Sequence, residues 1–588
     1  MKVFLDLFWF FRQEKKAYIT GVCLLIIVAL LELVPPKIIG LMVDHIKNGN
    51  VTASILGKWL FVLLIVAILL YMLRYFWRIC IFGASAKLSR QLRNELYAHF
   101  TKMSPSFYQR KRIGDLMAHA TNDLQAIQQT AGTGVLTLVD SLSLGGFVLV
   151  TMAVTISWKL TLISLLPMPV MAIATSRYGT LLHERFLKAQ EAFSSLNDKV
   201  QESVSGIKVI RAFGYEKEDV ESFRQKSEEV VKENIAVAKI DALFDPTISL
   251  VVGVSFFLAI VFGAQMVLNG ELTIGELVSF TTYLGLLIWP MLAFGWLFNI
   301  VERGRASYDR VRQLLEEKEE VKEAKQAITV PPSGDITYAI QRFAYPNDAS
   351  FALQHIHFTL KRGETLGIVG KTGAGKTTLL KLLIREYDQY DGRIIFGAHE
   401  ISEYALRALR AAIGYVPQDH FLFSATVKEN IAFASPEATD EEVIEAAKLA
   451  HIHDDIIQFA NGYDTVVGER GVSLSGGQKQ RISIARALLL DPEVLLLDDS
   501  LSAVDAKTEE RILTVLKEKR KGKTTIITSH RLSAIQHADL ILVLDSGRII
   551  QMGTHERLMK ERGWYRDMYE RQQLESLVEQ GGEAWRNH

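Results

Sequence analysis

The feature that most limits what this chain can fold into is a series of long apolar stretches in its first 300 residues. A helix of about 20 apolar residues crosses the hydrocarbon core of a bilayer. Inside that core, only a helix or a closed barrel satisfies its own backbone hydrogen bonds. The sequence therefore predicts an all-α polytopic membrane domain of six transmembrane helices, at about residues 17–39, 60–82, 135–157, 160–176, 248–268 and 274–298.

The connections between these stretches predict an orientation. The segments 83–134 and 177–247 are long and rich in Lys and Arg, whereas the connections near Lys159 and Asn269 are short and carry almost no positive charge. Positively charged connections remain in the cytoplasm, so both long segments are predicted there. An aromatic-rich run at residues 4–11 predicts an interfacial helix. We therefore expect a multi-pass protein in the lipid bilayer of the cell (plasma) membrane, with a cytoplasmic N-terminus.

Ionisable side chains inside the predicted spans are costly unless they face a partner or a wet cavity. These residues are Glu32, Lys37, Arg74, Arg78 and Asp140. The two arginines lie toward the cytoplasmic end, where long side chains serve as interfacial anchors. Asp140 has no such route to water. Two interpretations of Asp140 stay open: a structural polar contact, or an acid that contacts a transported substrate.

A change in composition marks the end of the membrane domain. The charged segment 302–325 leads into a linker at 330–333 that contains two prolines, and prolines punctuate regular structure. The predicted domains are therefore 1–329 and 333–574, followed by a frayed polar tail at 575–588. The second domain alternates strand-like and helix-like runs, which is typical of an α/β fold.

Overall composition argues against a nucleic-acid partner and against a disulfide framework. The 66 basic residues balance the 66 acidic ones, so no nucleic-acid partner is expected. The chain has two cysteines, Cys23 and Cys80, and both lie in apolar stretches. They indicate buried thiols rather than a disulfide framework.

The second domain contains a phosphate-binding loop, GKTGAGKT, that matches G-x-x-x-x-G-K-[ST]. In such a loop, backbone N–H groups surround phosphates while the lysine and the hydroxyl residue reach phosphate and magnesium. Asp498 ends a later apolar strand and is placed, with Thr377, to hold the metal. The candidate ATP-binding residues of the loop are Gly370, Lys371, Thr372, Gly373, Ala374, Gly375, Lys376, Thr377 and Thr378.

A third motif, LSGGQ, lies between the loop and Asp498. Its residues are Leu474, Ser475, Gly476, Gly477 and Gln478. Small residues ahead of a helix present free N–H groups and a positive helix end to an anion. The three motifs in this order resemble the nucleotide-binding domain of ABC transporters, and the resemblance extends over the whole chain. It implies an ABC exporter half-transporter that uses ATP and Mg²⁺. In this family, LSGGQ and Asp505 of one chain close on the ATP held by a second, similar chain.

The resemblance also implies roles for individual residues. Tyr345, in FAYP, resembles the aromatic residue that stacks on adenine. Gln418, in VPQDH, resembles the glutamine that contacts magnesium and takes part in ATP binding and catalysis. His530, in TSHRLS, resembles the switch histidine that senses the γ-phosphate. GERG, Gly468–Gly471, is similar to an export-specific segment that touches the membrane domains.

Two cytoplasmic segments, 114–127 and 205–216, resemble the coupling helices of ABC exporters. Coupling helices transmit closure of the ATPase domains to the membrane domain. The alternative for both segments is an ordinary solvated helix.

One catalytic position departs from the family pattern. After Asp498 the family places glutamate, the general base, but this chain has Asp499. A base must come within about 2.6–3.2 Å of the proton that it takes, and a side chain shorter by one methylene does not reach the same point. Backbone movement is the alternative by which Asp499 would still act. One altered catalytic residue among preserved binding motifs resembles the degenerate half of a heterodimeric exporter.

The predicted function is therefore the degenerate-site half of a heterodimeric multidrug efflux pump that exports amphipathic small molecules. Two alternatives stay open. The first is a homodimeric lipid or peptide exporter, and the second is an ATP-gated membrane sensor that transports nothing.

Overall fold

The structure is a computed structural model, and it describes most of the chain. The backbone is described at residues 2–346, 348, 350–468 and 474–586, and side chains are left out at 294, 295 and 576–586. The chain divides into two compact units, of which the first consists of Met1–Thr101 and Ile113–Glu317, and the second of Lys102–Arg112 and Lys318–His588.

The first unit is helical. One continuous helical run extends from Ile113 to Leu165 and contains three π-helical turns, at His119–Asp123, Thr130–Gly134 and Met152–Ser157. The other helices are Lys2–Asp6, Phe8–Gln13, Lys15–Leu31, Val34–Lys47, Ala53–Phe100, Met168–Ser205, Ile207–Phe213, Glu216–Asp241, Phe244–Leu268, Ile274–Leu286 and Ile288–Glu316.

Five helical segments of the described chain are long and apolar enough to cross a membrane, so the predicted count of six is not confirmed. The missing span is the fourth, at 160–176. One helix ends at Leu165 and the next begins at Met168, after Pro167, because proline lacks the N–H that would continue the helix. The five segments are Lys15–Lys47, Ala53–Phe100, Ile113–Leu165, Glu216–Leu268 and Ile274–Glu316.

Two helices of this unit, Val34–Lys47 and Ile274–Leu286, approach each other through glycine. A Cβ atom on Gly275 would lie 2.0 Å from the carbonyl oxygen of Gly40. The Asp44 carboxylate accepts hydrogen bonds from the Gly275 N–H at 2.8 Å and from the Thr273 hydroxyl at 2.7 Å. The backbones therefore touch where any larger residue would push them apart.

Three of the five ionisable residues of the predicted spans, Glu32, Arg74 and Asp140, interact electrostatically. Arg74 forms an ion pair with Glu32, which follows the helix Lys15–Leu31. Asp140 is half-buried and close enough to both groups to interact electrostatically. The three side chains form one charged cluster within the helical unit.

The predicted coupling segment 114–127 belongs to the first unit, where Asp123 fixes it. The Asp123 carboxylate accepts hydrogen bonds from Arg310 Nε at 3.0 Å, Ser307 Oγ at 2.8 Å and His119 Nδ1 at 2.6 Å. These bonds join the segment to the helix Ile288–Glu316. The residues that group with the second unit are instead those just before the segment, Lys102–Arg112.

The second unit contains two sheets. The antiparallel sheet has the order β2-β1-β4-β5, and the larger sheet has the order β10-β9-β3-β8-β7-β6, parallel except for β10. The strands are β1 (Ile336–Phe343), β2 (Leu353–Leu360), β3 (Thr365–Gly370), β4 (Tyr390–Phe396), β5 (His399–Glu400), β6 (Ile413–Val416), β7 (Val494–Asp498), β8 (Thr524–Thr528), β9 (Leu540–Asp545) and β10 (Arg548–Gly553).

Helices complete this unit as an α/β fold. The last helix continues through residues 575–586, where composition predicts a frayed tail. The α-helices are Pro105–Arg110, Lys376–Leu383, Leu406–Ala411, Val427–Ile431, Asp440–Leu449, His453–Ile456, Gly476–Leu489, Ala506–Lys519, His555–Lys560 and Trp564–Arg586.

Residues 318–329, which precede the predicted linker, group with the second unit. The buried Arg385 guanidinium donates to the carbonyl oxygen of Lys322 at 3.0 Å. Glu320 accepts a hydrogen bond from Ser104 at 2.7 Å and pairs with Arg110 at 2.7 Å. Although desolvation opposes them, these partners hold the pKa of Glu320 below its usual range.

We expect Gly275→Ala to destabilise the protein by about 1–3 kcal/mol, because the added methyl group overpacks a backbone contact. The measurement is the thermal unfolding midpoint of the purified protein in nanodiscs. Gly253→Ala is the matched control, since nothing lies within 4 Å of a Cβ at that helical position. An equal midpoint for the two variants would contradict the prediction.

Candidate functional site

The predicted nucleotide residues converge at one edge of the larger sheet. The parallel strands β3, β6, β7 and β8 end there at Gly370, Val416, Asp498 and Thr528. The crevice at the carboxyl ends of parallel strands is where open α/β sheets bind ligands. The topology thus gathers segments that lie far apart in the sequence.

The loop between β3 and the next helix has the geometry of a phosphate cradle. A Cβ on Gly370 would lie 2.1 Å from the Leu544 carbonyl oxygen, and Gly375 has φ 98° immediately before the helix that begins at Lys376. The Lys376 ammonium group donates to the carbonyl oxygens of Gly370 at 2.8 Å and Lys371 at 3.1 Å. Burial lowers the pKa of Lys376, and the nearby carboxylates of Asp499 and Asp498 oppose that shift.

Asp498 is the buried centre of the site. Its Oδ1 accepts hydrogen bonds from Thr528 Oγ1 at 2.7 Å and from Thr377 Oγ1 at 3.0 Å, and its Oδ2 accepts one from the Tyr415 hydroxyl at 3.3 Å. One carboxylate beside one hydroxyl suits Mg²⁺, which takes few protein oxygens and completes its shell with water and phosphate. Asp498 and Thr377 therefore form a donor set that fits Mg²⁺ held together with a nucleotide.

Asp499 follows with an unusual backbone. Its φ is 46°, in the left-handed region, which Asp and Asn adopt more readily than other side chains. Its N–H donates to the hydroxyl of Thr528 at 2.9 Å and to the carbonyl oxygen of the same residue at 3.1 Å. Within the part of the chain that the structure describes, its half-buried carboxylate forms no hydrogen bond.

The other predicted contacts of ATP are placed less closely together. The Tyr345 hydroxyl bonds to Thr378 Oγ1 at 2.8 Å, which brings its ring to the phosphate-loop helix. Gln418 and His530 are exposed, and their side chains form no hydrogen bonds with described residues. The carbonyl oxygen of His530 accepts a bond from Gln572 at 2.8 Å.

The LSGGQ motif forms the start of the helix Gly476–Leu489. Ser475 caps this helix in a reciprocal pair with Gln478, an arrangement that satisfies free N–H groups at the helix start. Gln478 also donates to Asp455 at 3.0 Å, and Arg481 binds the same carboxylate at 2.8 Å. Leu474 is buried, whereas Ser475 and Gly476 are exposed.

The GERG segment lies largely outside the described residues, which include only its Gly468. Asp505 is described: it caps the helix Ala506–Lys519 by accepting the Thr508 N–H at 3.0 Å, and this bond lowers the pKa of its carboxyl group.

Several residues of this region were not predicted from the sequence. Thr528 and Tyr415 bond to Asp498; Thr528 opens the TSHRLS motif and Tyr415 directly precedes VPQDH. Gln480 and Arg531 each bond to the segment 502–505. The positions of the last two could have indicated them, because Gln480 lies two residues after LSGGQ and Arg531 directly follows His530.

Family models match both units. The model described as the ABC transporter transmembrane region matches residues 18–291, and that described as ABC transporter matches 353–502. The probable multidrug resistance ABC transporter ATP-binding/permease protein YheI of Bacillus subtilis is 50% identical over 576 residues, 98% of each chain. The chain belongs to the ABC exporters. Such exporters act as dimers in the lipid bilayer. This ABC exporter is a multi-pass membrane protein, and its ATPase domain binds and hydrolyses ATP.

Two further matches come from other ABC transport proteins. An ATP-dependent lipid A-core flippase of Syntrophus aciditrophicus is 34% identical over 527 residues, which cover 88% of this chain and 86% of the flippase. A solved structure of a bacterial Atm1-family ABC exporter with ATP bound matches with a TM-score of 0.79 and 27% identity. The match covers 95% of this chain and 99% of that one.

The pH dependence of stability gives a test of this region. Burial lowers the pKa of His420, although Asp419 and Asp499 oppose the shift. The neutral ring therefore contributes stability that is fully present above the unfolded-state pKa of about 6.5 and is lost as the pH falls through the folded-state value. We expect the unfolding midpoint of His420→Asn to fall less than that of the wild type below about pH 6.5. His357→Asn, at an exposed ring, is the control, and parallel curves for His420→Asn and the wild type would refute the prediction.

Proposed function

We propose that this ABC exporter is the degenerate-site half of a heterodimeric multidrug pump, and that its partner is a second, similar half-transporter. ATP binding closes the two ATPase domains, and the closure turns the membrane cavity outward to release an amphipathic compound. The relative named as a probable multidrug resistance transporter supports the substrate class. The ATPase domain and the N-terminus lie on the cytoplasmic side of the plasma membrane.

The observation that carries the degenerate assignment is Asp499. It holds the general-base position with a left-handed backbone and a carboxylate that no described residue binds. Glutamate at the same backbone position would extend one methylene further toward the water that attacks the γ-phosphate. A positioned base contributes roughly 10²–10⁴ in rate, so hydrolysis at this site is slow.

In the proposed dimer, each ATP lies between the phosphate loop of one chain and the LSGGQ motif of the other. Lys376, Thr377 and Asp498 hold ATP and Mg²⁺ on this chain, while Tyr345 stacks on adenine. Gln418 and His530 are exposed at the same site, as residues must be if they engage the nucleotide only on closure. The exposed Ser475 and Gly476 supply N–H groups to the partner's ATP.

The predicted coupling helix in segment 205–216 has features that support docking on a partner. It forms the helix Ile207–Phe213, on which Ile207, Val209 and Phe213 are exposed. Exposed apolar residues that occur together mark interaction sites. We assign this face to contact with the partner's ATPase domain.

The charged cluster in the helical unit is the proposed feature for cationic substrates. Arg74 neutralises Glu32 through their ion pair, so one of the two carboxylates remains uncompensated. Asp140 is half-buried, and its carboxylate forms no hydrogen bond among the described side chains. An uncompensated acid in a membrane domain attracts a cation.

A second candidate is a homodimeric lipid exporter, which the lipid A-core flippase among the relatives favours. In that case Asp499 would be the working base of two equal sites. ATPase activity of the chain purified alone separates this candidate from the heterodimer. A membrane sensor that transports nothing is separated by ATP-dependent accumulation of a dye in inverted vesicles.

The difference between the two ATP sites predicts unequal effects for two substitutions in the assembled complex. Asp499→Asn should change steady-state turnover by less than about twofold, because a site without its positioned base has little rate to lose. Gly477→Asp should reduce turnover on the order of 100-fold, because like charges placed together cost several kcal/mol. The ATPase rate of the purified heterodimer is the measurement.

Gly477→Ala is the matched control for steric effects, since a Cβ added at Gly477 would lie 2.9 Å from the Ala503 carbonyl oxygen. The charged variant should be clearly worse than the alanine variant. If Asp499→Asn abolishes turnover as fully as Gly477→Asp does, the degenerate assignment is wrong.

Transport selectivity tests Asp140. Asp140→Asn should reduce export of cationic dyes by roughly tenfold, or about 1.4 kcal/mol, while export of neutral compounds and basal ATPase activity persist. Asp245→Asn, at an exposed acid in another helix of the same unit, is the control. An equal loss for cationic and neutral compounds would assign Asp140 to structure alone.

A further inference from the structure

The segment 502–505 lies between the two halves of the ATPase machinery of this chain. On one side it bonds to the helix that LSGGQ begins: the Ala503 N–H donates to Gln480 Oε1 at 3.1 Å. The other end of the same amide, Gln480 Nε2, donates to the Asp499 carbonyl oxygen at 3.5 Å. One buried glutamine therefore joins this segment, the LSGGQ helix and the general-base position.

On its other side the segment is held by Arg531, the residue after His530. Arg531 Nη1 donates to the Val504 carbonyl oxygen at 3.3 Å, and Nη2 donates to the Ser502 carbonyl oxygen at 3.5 Å. The same Nη1 donates to Glu509 Oε2 at 2.8 Å. A guanidinium group has donors in a fixed planar fork, so one side chain binds both carbonyl groups and the carboxylate at once.

Glu509 explains why Arg531 keeps this position. Only 4% of Glu509 is exposed, and Arg531 is the only side chain in the described ranges that binds its carboxylate. Burial raises the pKa of Glu509, and Arg531 opposes that shift. Arg531 is itself exposed, but removing it leaves the buried Glu509 carboxylate without its partner, and an uncompensated buried charge is strongly destabilising. Glu509 therefore anchors the arginine, and the arginine fixes the 502–505 segment relative to His530.

We propose that Arg531 is a positioning residue that couples the two ATP sites of the dimer. Through Ser502 and Val504 it transmits the position of the His530 loop to the 502–505 segment. Gln480 then transmits it to the LSGGQ helix, which completes the partner's site. The proposal rests on the ATP sandwich of the proposed function, and it deepens that function by naming the connection between the sites.

The path between the two ATP sites is short. His530 follows β8 and senses one ATP, whereas the LSGGQ helix serves the other ATP. Between them lie two side chains, Arg531 and Gln480, and four backbone residues. Coupling between sites is carried by contacts that bias a shared element, and the 502–505 segment is the element that both side chains bind.

The experiment uses the full-length exporter, assembled with its partner chain in nanodiscs. Four variants are compared with the wild type: Arg531→Met, Arg531→Lys, Glu509→Gln and the double variant Arg531→Met with Glu509→Gln. Arg557→Met is the matched control, because Arg557 pairs only with the exposed Glu561, at 3.0 Å. The readouts are equilibrium ATP binding, kcat and KM for ATP hydrolysis, and the thermal unfolding midpoint.

The double variant separates coupling from stability. Arg531→Met should lower both the unfolding midpoint and kcat, since it breaks the link and leaves Glu509 charged and unpaired. The double variant removes that buried charge, so its midpoint should recover while kcat stays about 5–150-fold below the wild type, the range of coupling between sites. ATP affinity should change by less than about twofold. Arg531→Lys, which keeps the charge but not the fork, should recover part of kcat.

Two results would overturn the proposal. In the first, kcat of the double variant recovers together with the unfolding midpoint, which would give Arg531 a structural role only. In the second, Arg531→Met hydrolyses ATP at the rate of the Arg557→Met control.

Dye export by the wild-type complex, measured in vesicles, keeps this proposal distinct from the proposed function. If the wild type hydrolyses ATP and exports nothing, the proposed function fails, and the coupling role is still decided by kcat of the four variants. If export is normal and those variants keep the wild-type kcat, only the coupling role fails.

Discussion

A buried carboxylate at the end of one strand organises the ATPase unit. Asp498 has almost no contact with solvent, and burying a charge is costly unless hydrogen bonds compensate for the lost water. Hydroxyl groups from the phosphate-loop helix, β8 and the β6 strand provide that compensation. Each donor must come to the same point, so the need to solvate one side chain fixes three elements relative to one another. The geometry that suits Mg²⁺ and phosphate follows from this requirement.

A buried carboxylate that is held by hydrogen-bond donors occurs at two other places in the chain. Asp123 gathers an arginine, a serine and a histidine in the helical unit, and Glu509 binds Arg531 in the ATPase unit. In both cases an acid that cannot reach water is held by donors from another element. Such contacts fix two elements relative to each other, because a hydrogen bond to a buried charge is lost within a small displacement.

The sequence predicted the ATPase unit well because its chemistry needs short contiguous motifs. A phosphate loop requires glycines and a lysine at fixed spacing, so Gly370 and Lys376 are visible without a structure. The partners of Asp498 are not, since Thr528 and Tyr415 are single hydroxyl residues far away in the chain. Arg531 was overlooked for the same reason: its carboxylate partner, Glu509, belongs to a different helix.

Hydropathy located the membrane helices less completely. It records composition but not continuity, so it counted the stretch 160–176 as one span although Pro167 separates two helices there. It also did not indicate the ion pair of Arg74, because the Glu32 carboxylate that binds it lies far away in the sequence. Pairing between helices depends on rotation about the helix axis, which an average over a window does not contain.

The π-helical turns in the run from Ile113 to Leu165 show how much that rotation matters. A π turn holds one residue more than an α turn, and each residue of a helix advances its face by about 100°. Two of the three turns precede Asp140. A deletion of one residue within either turn would leave an α turn and keep the face of the helix, whereas the same deletion in an α-helical part before Asp140 would swing the Asp140 carboxylate by more than a quarter of a circle, away from Glu32 and Arg74. The π turns are therefore the places along this helix where the number of residues can change without turning Asp140 away from its neighbours.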